Sequence, residues 1–414
     1  MHVSSRLCSI LQIARSLTVR YTAQDSLKFI RTMPDENISL EAATWRYKEP
    51  ISRFTAARYA VVYYILHYFI VIANNVLAAK ERFISSAHPP TVVRKYACRP
   101  KLPIRIFYPK DFNPNSQKKI PTMLSIHGGG FVMGNPRDDD LFNYNFANMH
   151  SVLVVALNYK KAPHARFPAP IYDLEQLIFA VLSDSSLPID KDRIALMGFS
   201  AGGNLALSVS TLPSMCGSGD GVRRIKTVIP MYPVVDVSVV QEYKMQTRQY
   251  KPSLGGFRAK PVDYLARLSP FFDAAYTLAG QDFQDPLLSP IYAPKEQLPP
   301  NMFVLADELD MLANESWRMI CRLSGRQVEE QTVGRKHVGP PGKLILDDEK
   351  FSFEVKKHNG NYRWLLIPDQ IHGYDHYDSL ELLHGDKELS KDAELKTREA
   401  QKLIGKWLFE GPFA

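Results

Sequence analysis

Apolar runs of strand length recur along the second two thirds of the chain. They predict strands at Ile104–Tyr108, Thr122–His127, Ser151–Leu157, Arg193–Met197, Lys226–Tyr232, Met302–Ala306 and Arg363–Ile367. Between them, stretches of helical period predict helices at Tyr172–Leu182, Gly203–Leu212, Glu315–Ser324 and Asp392–Trp407. Short apolar strands separated by helices are the pattern of a mostly parallel sheet buried on both faces. The polar, Gly- and Pro-containing stretch Arg335–Glu349 breaks this rhythm. After it, Phe351–Val355 and Arg363–Ile367 flank His358, Asn359 and Gly360, which predicts a β-hairpin extending the sheet.

Upstream the pattern differs. Tyr59–Ala73 is apolar except for His67, and after Asn74 and Asn75 the run continues through Ala79. As one helix, residues 59–79 would reach about 31 Å, close to the thickness of a bilayer core. Arg53 and Arg58 precede the run and Lys80 and Arg82 follow it. Membrane attachment is the expectation, and a buried helix of a cap is the competing one. Residues 1–24 hold Arg6, Arg15 and Arg20 and no acid, which suits a basic amphipathic helix or a mitochondrial targeting segment.

Composition sharpens the picture. At 414 residues with 45% hydrophobic positions, the chain can build a large core. The first 110 residues carry 17 Lys and Arg against 6 Asp and Glu, so the net charge of +8 belongs to the N-terminal region. A basic region suits a membrane surface or a targeting signal. No zinc-finger spacing or RNA-binding aromatic signature accompanies it, so nucleic acid is not an expected partner. Cys8, Cys98, Cys216 and Cys321 are widely spaced, unlike a disulfide framework or a structural zinc site.

Candidate chemistry lies at the strand ends. Gly198-Phe199-Ser200-Ala201-Gly202 follows a predicted strand and opens a helix. In that setting G-x-S-x-G lifts a serine hydroxyl above the sheet on a tight turn. His127-Gly128-Gly129-Gly130 ends another strand. Acyl transfer creates an oxyanion that needs backbone donors. The N–H groups of Gly128, Gly129 and Ala201 are the candidates, supported by His127, Gly130, Gly198 and Gly202. A serine needs a base to take its proton. His372 is the first choice and His376 the alternative. The orienting acid is expected just after the strand Met302–Ala306, where Asp310 is preferred and Asp307 reads better as a helix N-cap. No metal or organic cofactor is called for.

With these blocks in place, residues 98–410, about three quarters of the chain, resemble the hormone-sensitive-lipase branch of the α/β-hydrolase fold. The resemblance also rests on Asn158–Pro163, Phe167–Pro170 with Asp173, Asp285-Pro286, Ser289-Pro290, Leu298–Pro300, Asp310–Leu312 and His372–Tyr374. It implies an esterase or lipase with helices on both faces of the sheet and an N-terminal helical cap. It supports the triad Ser200, Asp310 and His372. The implied organisation is a basic segment at 1–24, a helical cap at 25–97 and a catalytic domain at 98–414 with an insertion at about 331–360. Two positions depart from the family. Phe199 stands where many members carry an acid, which implies altered pocket polarity. Asn314 stands at the usual acid four residues after the catalytic Asp, which puts a supporting hydrogen bond in question.

The expected function is hydrolysis of a lipophilic carboxylic ester through an acyl-enzyme. The membrane-anchored fungal steryl acetyl hydrolases of this family join an apolar N-terminal segment to such a domain, which makes a sterol acetate or similar short-acyl lipid ester the sharpest expectation. By the same resemblance the expected place is a membrane, that of the endoplasmic reticulum first, with mitochondrial or cytoplasmic placement as alternatives. A transacylase using the same acyl-enzyme and a non-catalytic ligand receptor on the same scaffold are the competing functions.

Overall fold

The computed structural model describes residues 87–414 apart from 117, 279 and 329–331, together with 54, 57–65, 68, 69, 72 and 76. The expectations for 1–24, and for much of 25–86, fall outside the described residues. Among those described, no helix is long and apolar enough to cross a membrane.

Among the described residues, nine strands form one sheet. They are β1 (Val92–Arg94), β2 (Ile104–Phe107), β3 (Ile120–Ile126), β4 (Leu153–Leu157), β5 (Ile189–Phe199), β6 (Thr227–Met231), β7 (Asn301–Asp307), β8 (Ser352–Lys357) and β9 (Gly360–Ile367), in the order β1-β2-β4-β3-β5-β6-β7-β9-β8. The six strands from β4 to β9 in that order run parallel, and antiparallel pairs close both edges. Parallel strands must be covered on both faces, which is why they read as unbroken apolar runs. The principal helices are α1 (Asp140–His150), α2 (Ala169–Ser183), α3 (Ala201–Ser210), α4 (Tyr264–Tyr276), α5 (Ala313–Ser324), α6 (Tyr377–His384) and α7 (Lys387–Phe409).

Side-chain alternation assigns the faces. Met302, Val304 and Ala306 of β7 join the core built with α2, α3 and α5, while Phe303 and Leu305 join the core built with α1 and α7. The register then places the chemistry. Ile126 pairs with Gly198 across β3 and β5, and Asp307 pairs with Ile367 across β7 and β9. All four strands therefore end on one edge of the sheet, and the loops that leave them meet there.

The pattern-based elements are present with shifted ends. The strand expected from Ser151 begins at Leu153, because Ser151 takes a left-handed conformation (φ 52°) to end α1. The hairpin is formed by β8 and β9, with Lys357 paired to Gly360, so the sheet is extended as expected. Of the elements named above, β1, α1, α4 and α6 are additional. Of these, α4 matters most, since it lies over the site. Tyr59 and Tyr63 of the N-terminal helical residues bring their rings within 6.5 and 6.4 Å of Phe271 on α4.

Candidate active site

Ser200 occupies the turn between β5 and α3 with φ 53° and ψ −118°. Such a backbone costs on the order of 1–3 kcal/mol in a non-glycine residue and persists only where the surroundings enforce it. Here they do. Ser200 N–H donates to Met231 O at 2.9 Å and Ser200 O accepts from Asn204 N–H at 3.1 Å. A Cβ on Gly198 would collide with Gly202 O, and one on Gly202 with the carbonyls of Ile126 and His127. Only glycine at both places lets the turn press against β3.

His372 lies in the loop after β9. Its Nε2 is 2.8 Å from Ser200 Oγ and its Nδ1 is 2.7 Å from Asp310 Oδ2. Of the two partners of this imidazole, Ser200 is half-buried and Asp310 has no exposed side-chain surface. The other Asp310 oxygen accepts from Leu312 N–H at 2.9 Å, which fixes the carboxylate. The loops carrying Asp310 and His372 are tied together, since Leu309 N–H donates to Gln370 O at 2.9 Å. Tyr232 sets its ring edge-on against His372, with centroids 4.8 Å apart.

The alternatives are placed elsewhere. His376 faces Asp139 at 3.6 Å rather than the serine. Asp307 is not a helix cap: it ends β7, and α5 begins only at Ala313 after Leu312. Burial, with Asp310 and Asp375 nearby, raises its carboxyl well above the usual range.

The glycine loop runs beside the serine. A Cβ on Gly128 would stand 3.4 Å from Ser200 Cβ. None of the N–H groups of Gly128, Gly129 and Ala201 is committed to a turn or loop hydrogen bond, so all three remain as donors. Gly130 turns at φ 58°, and a side chain there would strike the Phe272 ring of α4. His127 supports the loop from below. Its ring stacks on Tyr159 at 4.5 Å, and burial together with the Lys161 charge lowers its pKa well below the usual value. A neutral ring in that slot is a packing element.

The two departures resolve structurally. Phe199 is buried in the core, edge-on to Phe142 at 5.1 Å, so the expected change in pocket polarity does not come from it. Asn314 accepts from Arg318 Nε at 3.2 Å, and the neighbouring Glu315 carries the supporting role. Glu315 Oε1 accepts from Val235 N–H at 2.8 Å and Asp236 N–H at 3.2 Å, holding the loop after β6. Tyr232 and Tyr264 are site residues that the pattern does not single out. Neither sits in a motif, and both come from loops or helices whose partners are more than a hundred residues away.

The cluster Asp307, Asp310 and His372 brings its nitrogen and oxygen atoms within 4.8 Å of one another. Both His372 nitrogens are already engaged, by Asp310 and Ser200, which leaves no lone pair for a metal.

A serine on a strained strand–turn–helix corner, a histidine between it and a buried aspartate, and a glycine loop beside them on a parallel sheet define an α/β hydrolase built for serine chemistry. The chain belongs to the alpha/beta hydrolase fold family, whose model matches residues 123–338, just over half of the chain. It is 27% identical over 224 residues to an arylesterase of Saccharolobus solfataricus, covering 54% of this chain and 67% of that protein. It is 32% identical over 138 residues to an ethyl acetate hydrolase of Pseudomonas putida, covering 33% and 42%. It is 30% identical over 142 residues to the human arylacetamide deacetylase-like 2, covering 33% and 34%. The chain thus spans about two thirds of the arylesterase and less than half of the other two. A hyperthermophilic esterase from Pyrobaculum calidifontis has the same fold, with a TM-score of 0.59 at 20% identity over 88% of this chain and all of that one. The names of these relatives class the chain with the carboxylic-ester hydrolases.

Proposed function

We propose that the chain hydrolyses a short-acyl ester of a lipophilic alcohol through Ser200, His372 and Asp310. The observation that carries this reading is His372 standing within hydrogen-bond reach of both Ser200 Oγ and Asp310 Oδ2. Ser200 Oγ attacks the ester carbonyl while His372 Nε2 takes its proton. The carbonyl electrons move onto oxygen, where the N–H groups of Gly128, Gly129 and Ala201 receive them. Collapse expels the alcohol with the proton from His372 and leaves an acyl-serine. Water then gives its proton to His372, attacks the acyl carbon, and the acid departs as Ser200 regains the proton. Asp310 holds the imidazole with Nδ1 protonated and stabilises the imidazolium.

Two features support the substrate class. The cover over the glycine loop is aromatic, with Phe271 and Phe272 on α4 and Phe131 stacked on Tyr276 at 4.0 Å. Two relatives are named for acetate esters, the ethyl acetate hydrolase and a versiconal hemiacetal acetate esterase of Emericella nidulans. A sterol acetate is the specific substrate proposed. The membrane reading draws support from Val61, Ile65, Tyr68 and Ile72 of the N-terminal segment, which are all exposed.

Purified protein and its Ser200→Ala variant, assayed on p-nitrophenyl esters of graded acyl length and on a sterol acetate, test the proposal. Hydrolysis of acetyl esters that disappears in the variant is the expected result. A folded wild type at background on every ester would sink it, and ester transfer to added alcohol in preference to water would replace hydrolysis by transacylation. Release of the full-length protein from membranes by carbonate would refute the integral-membrane reading.

A further inference from the structure

Asp139 is the N-cap residue of α1, yet its carboxylate makes no capping hydrogen bond. Both carboxylate oxygens are buried and have no hydrogen-bond partner. Buried carboxylates are normally paired, so this one has been given up by the helix for something else. The charged neighbour is His376, whose Nε2 lies 3.6 Å from Asp139 Oδ1. On the other side stands Asp375, buried, with the Tyr232 hydroxyl donating to its Oδ1. Tyr232 has a left-handed backbone, φ 38°, and its ring packs on the catalytic imidazole.

These residues join two arms of the site. Asp139 follows the glycine loop through the Asn135–Asp138 turn, in which Asp138 N–H donates to Asn135 O at 2.9 Å. His376 follows His372 by four residues, and His376 N–H donates to Gly373 O at 3.2 Å. A charge on His376 therefore draws the segment that carries the oxyanion donors toward the loop that carries the base.

We propose that His376, as an imidazolium held between Asp139 and Asp375, is a positioning residue that sets the glycine loop and the His372 loop at their working separation. The inference rests on the ester-hydrolase reading above. The titratable groups facing His376 are Asp138 and Asp139 ahead of α1, Asp375 and Asp378 on its own side, and Tyr232 through Asp375. Tyr264 stands near the same loop: its OH would be 4.0 Å from a Cβ on Gly373. Burial works against the imidazolium and also raises the Asp139 and Asp138 carboxyls, which the His376 charge pulls back down. The charges of Asp375, Asp139 and Asp138 outweigh the burial of the ring and raise the His376 pKa to about 9. With the folded value above the unfolded one, the clamp's stability is complete below about pH 6.5 and is lost as pH rises through about 9.

The test measures kcat and KM on p-nitrophenyl acetate from pH 6 to 10.5 for wild type, His376→Gln and Asp139→Asn, with Tm at each pH. Wild type is expected to lose kcat on an alkaline limb near pH 9. His376→Gln should lower kcat about tenfold at pH 7, in line with a loop displaced by a fraction of an ångström, with KM changed less than twofold and the limb gone. Asp139→Asn, nearly the same shape, should move the limb to lower pH, because one of the carboxylates that hold the proton is removed. A purely structural histidine would lower Tm without moving the limb. An unchanged limb in Asp139→Asn, or wild-type kcat in His376→Gln, overturns the clamp. So does activity lost to EDTA and restored by a divalent cation, which would put a metal where the proton is proposed. If His376→Gln does not fold, the wild-type limb and its shift in Asp139→Asn decide. Failure of the ester-hydrolase reading looks different, since wild type would then be inactive at every pH.

Discussion

The Tyr264 hydroxyl on α4 donates to the backbone carbonyl of His372 at 2.9 Å, so the covering helix is fastened directly to the loop that carries His372. The bond fixes the peptide that begins the turn through Gly373, which has φ 74°. It makes the position of α4 part of the geometry of the site.

Tyr264→Phe keeps the ring and removes this bond. The carbonyl it leaves is partly shielded from water, and the expected loss is about 1 kcal/mol of stability. The expected loss of kcat is about threefold to tenfold, since His372 then samples positions away from Ser200 Oγ. Urea denaturation followed by fluorescence and steady-state kinetics on an acetyl ester measure the two. Unchanged kcat with lowered stability would separate the cover from the site.

Asp310→Asn tests the orienting acid. With its one oxygen on Leu312 N–H, Asn presents its amide N–H group to His372 Nδ1, and the imidazolium loses its counter-charge. The variant should keep its fold, because Asn can still accept from Leu312 N–H at the oxygen that now makes that 2.9 Å bond. The expected fall in kcat is about 10³–10⁴-fold with KM little changed. Asp307→Asn is the control: a fall as large as that of Asp310→Asn would mean that the wrong carboxylate has been assigned.

How far the chain could be read follows from where each residue's partners lie. The buried strands, the serine corner and the glycine loop are local: a run such as Leu153–Leu157, or Gly198 to Gly202, carries its own signature. α4 was silent for a local reason as well, since Pro270 lies inside it and Asp273 and Ser269 interrupt its apolar face. α1 opens inside the acidic run Asp138–Asp140 and has only Phe142, Phe146 and Ala147 as buried apolar residues. The insertion was legible as a hairpin, but its other half was not. Residues 332–343 are held by backbone N–H groups of Arg335, Gly339 and Gly342, which donate to Glu308, Asp369 and Asp392. Those acids come from three distant segments, and no spacing in the chain announces their meeting.

Lys251 stands at the centre of that network. It has no exposed side-chain surface and lies 2.7 Å from both Glu308 Oε2 and Asp369 Oδ1, with a third bond to His337 O at 2.9 Å. Lys251→Met would leave two buried carboxylates without their cation, at an expected cost of about 3–5 kcal/mol. Glu308 is two residues from Asp310 and Asp369 three from His372, so activity should fall with stability. Adding Glu308→Gln and Asp369→Asn to Lys251→Met should recover much of the loss. Denaturation midpoints for the single and triple variants measure it, and equal midpoints for wild type and Lys251→Met would show that the pair of acids is neutral without the lysine.

Asp263 couples the cover to the loop that carries Asp310. Its Oδ1 caps α4 by accepting from Leu265 N–H at 2.9 Å, and its Oδ2 accepts from Met311 N–H at 3.0 Å, next to Asp310. Burial and the Asp310 charge raise its pKa to about 6, against the pull of Arg248 and the two N–H donors. The folded protein therefore holds this proton more tightly than the unfolded chain does. The resulting stability is complete below about pH 4 and is lost as pH rises through about 6. Asp263→Asn removes the titration while keeping an oxygen for the cap. Its Tm, measured between pH 4 and 7, should therefore fall less with rising pH than that of wild type, and the two curves should converge at the acid end. Parallel curves would mean that Asp263 is ionised throughout, with Arg248, 3.8 Å from Oδ2, and the two backbone donors outweighing both burial and Asp310.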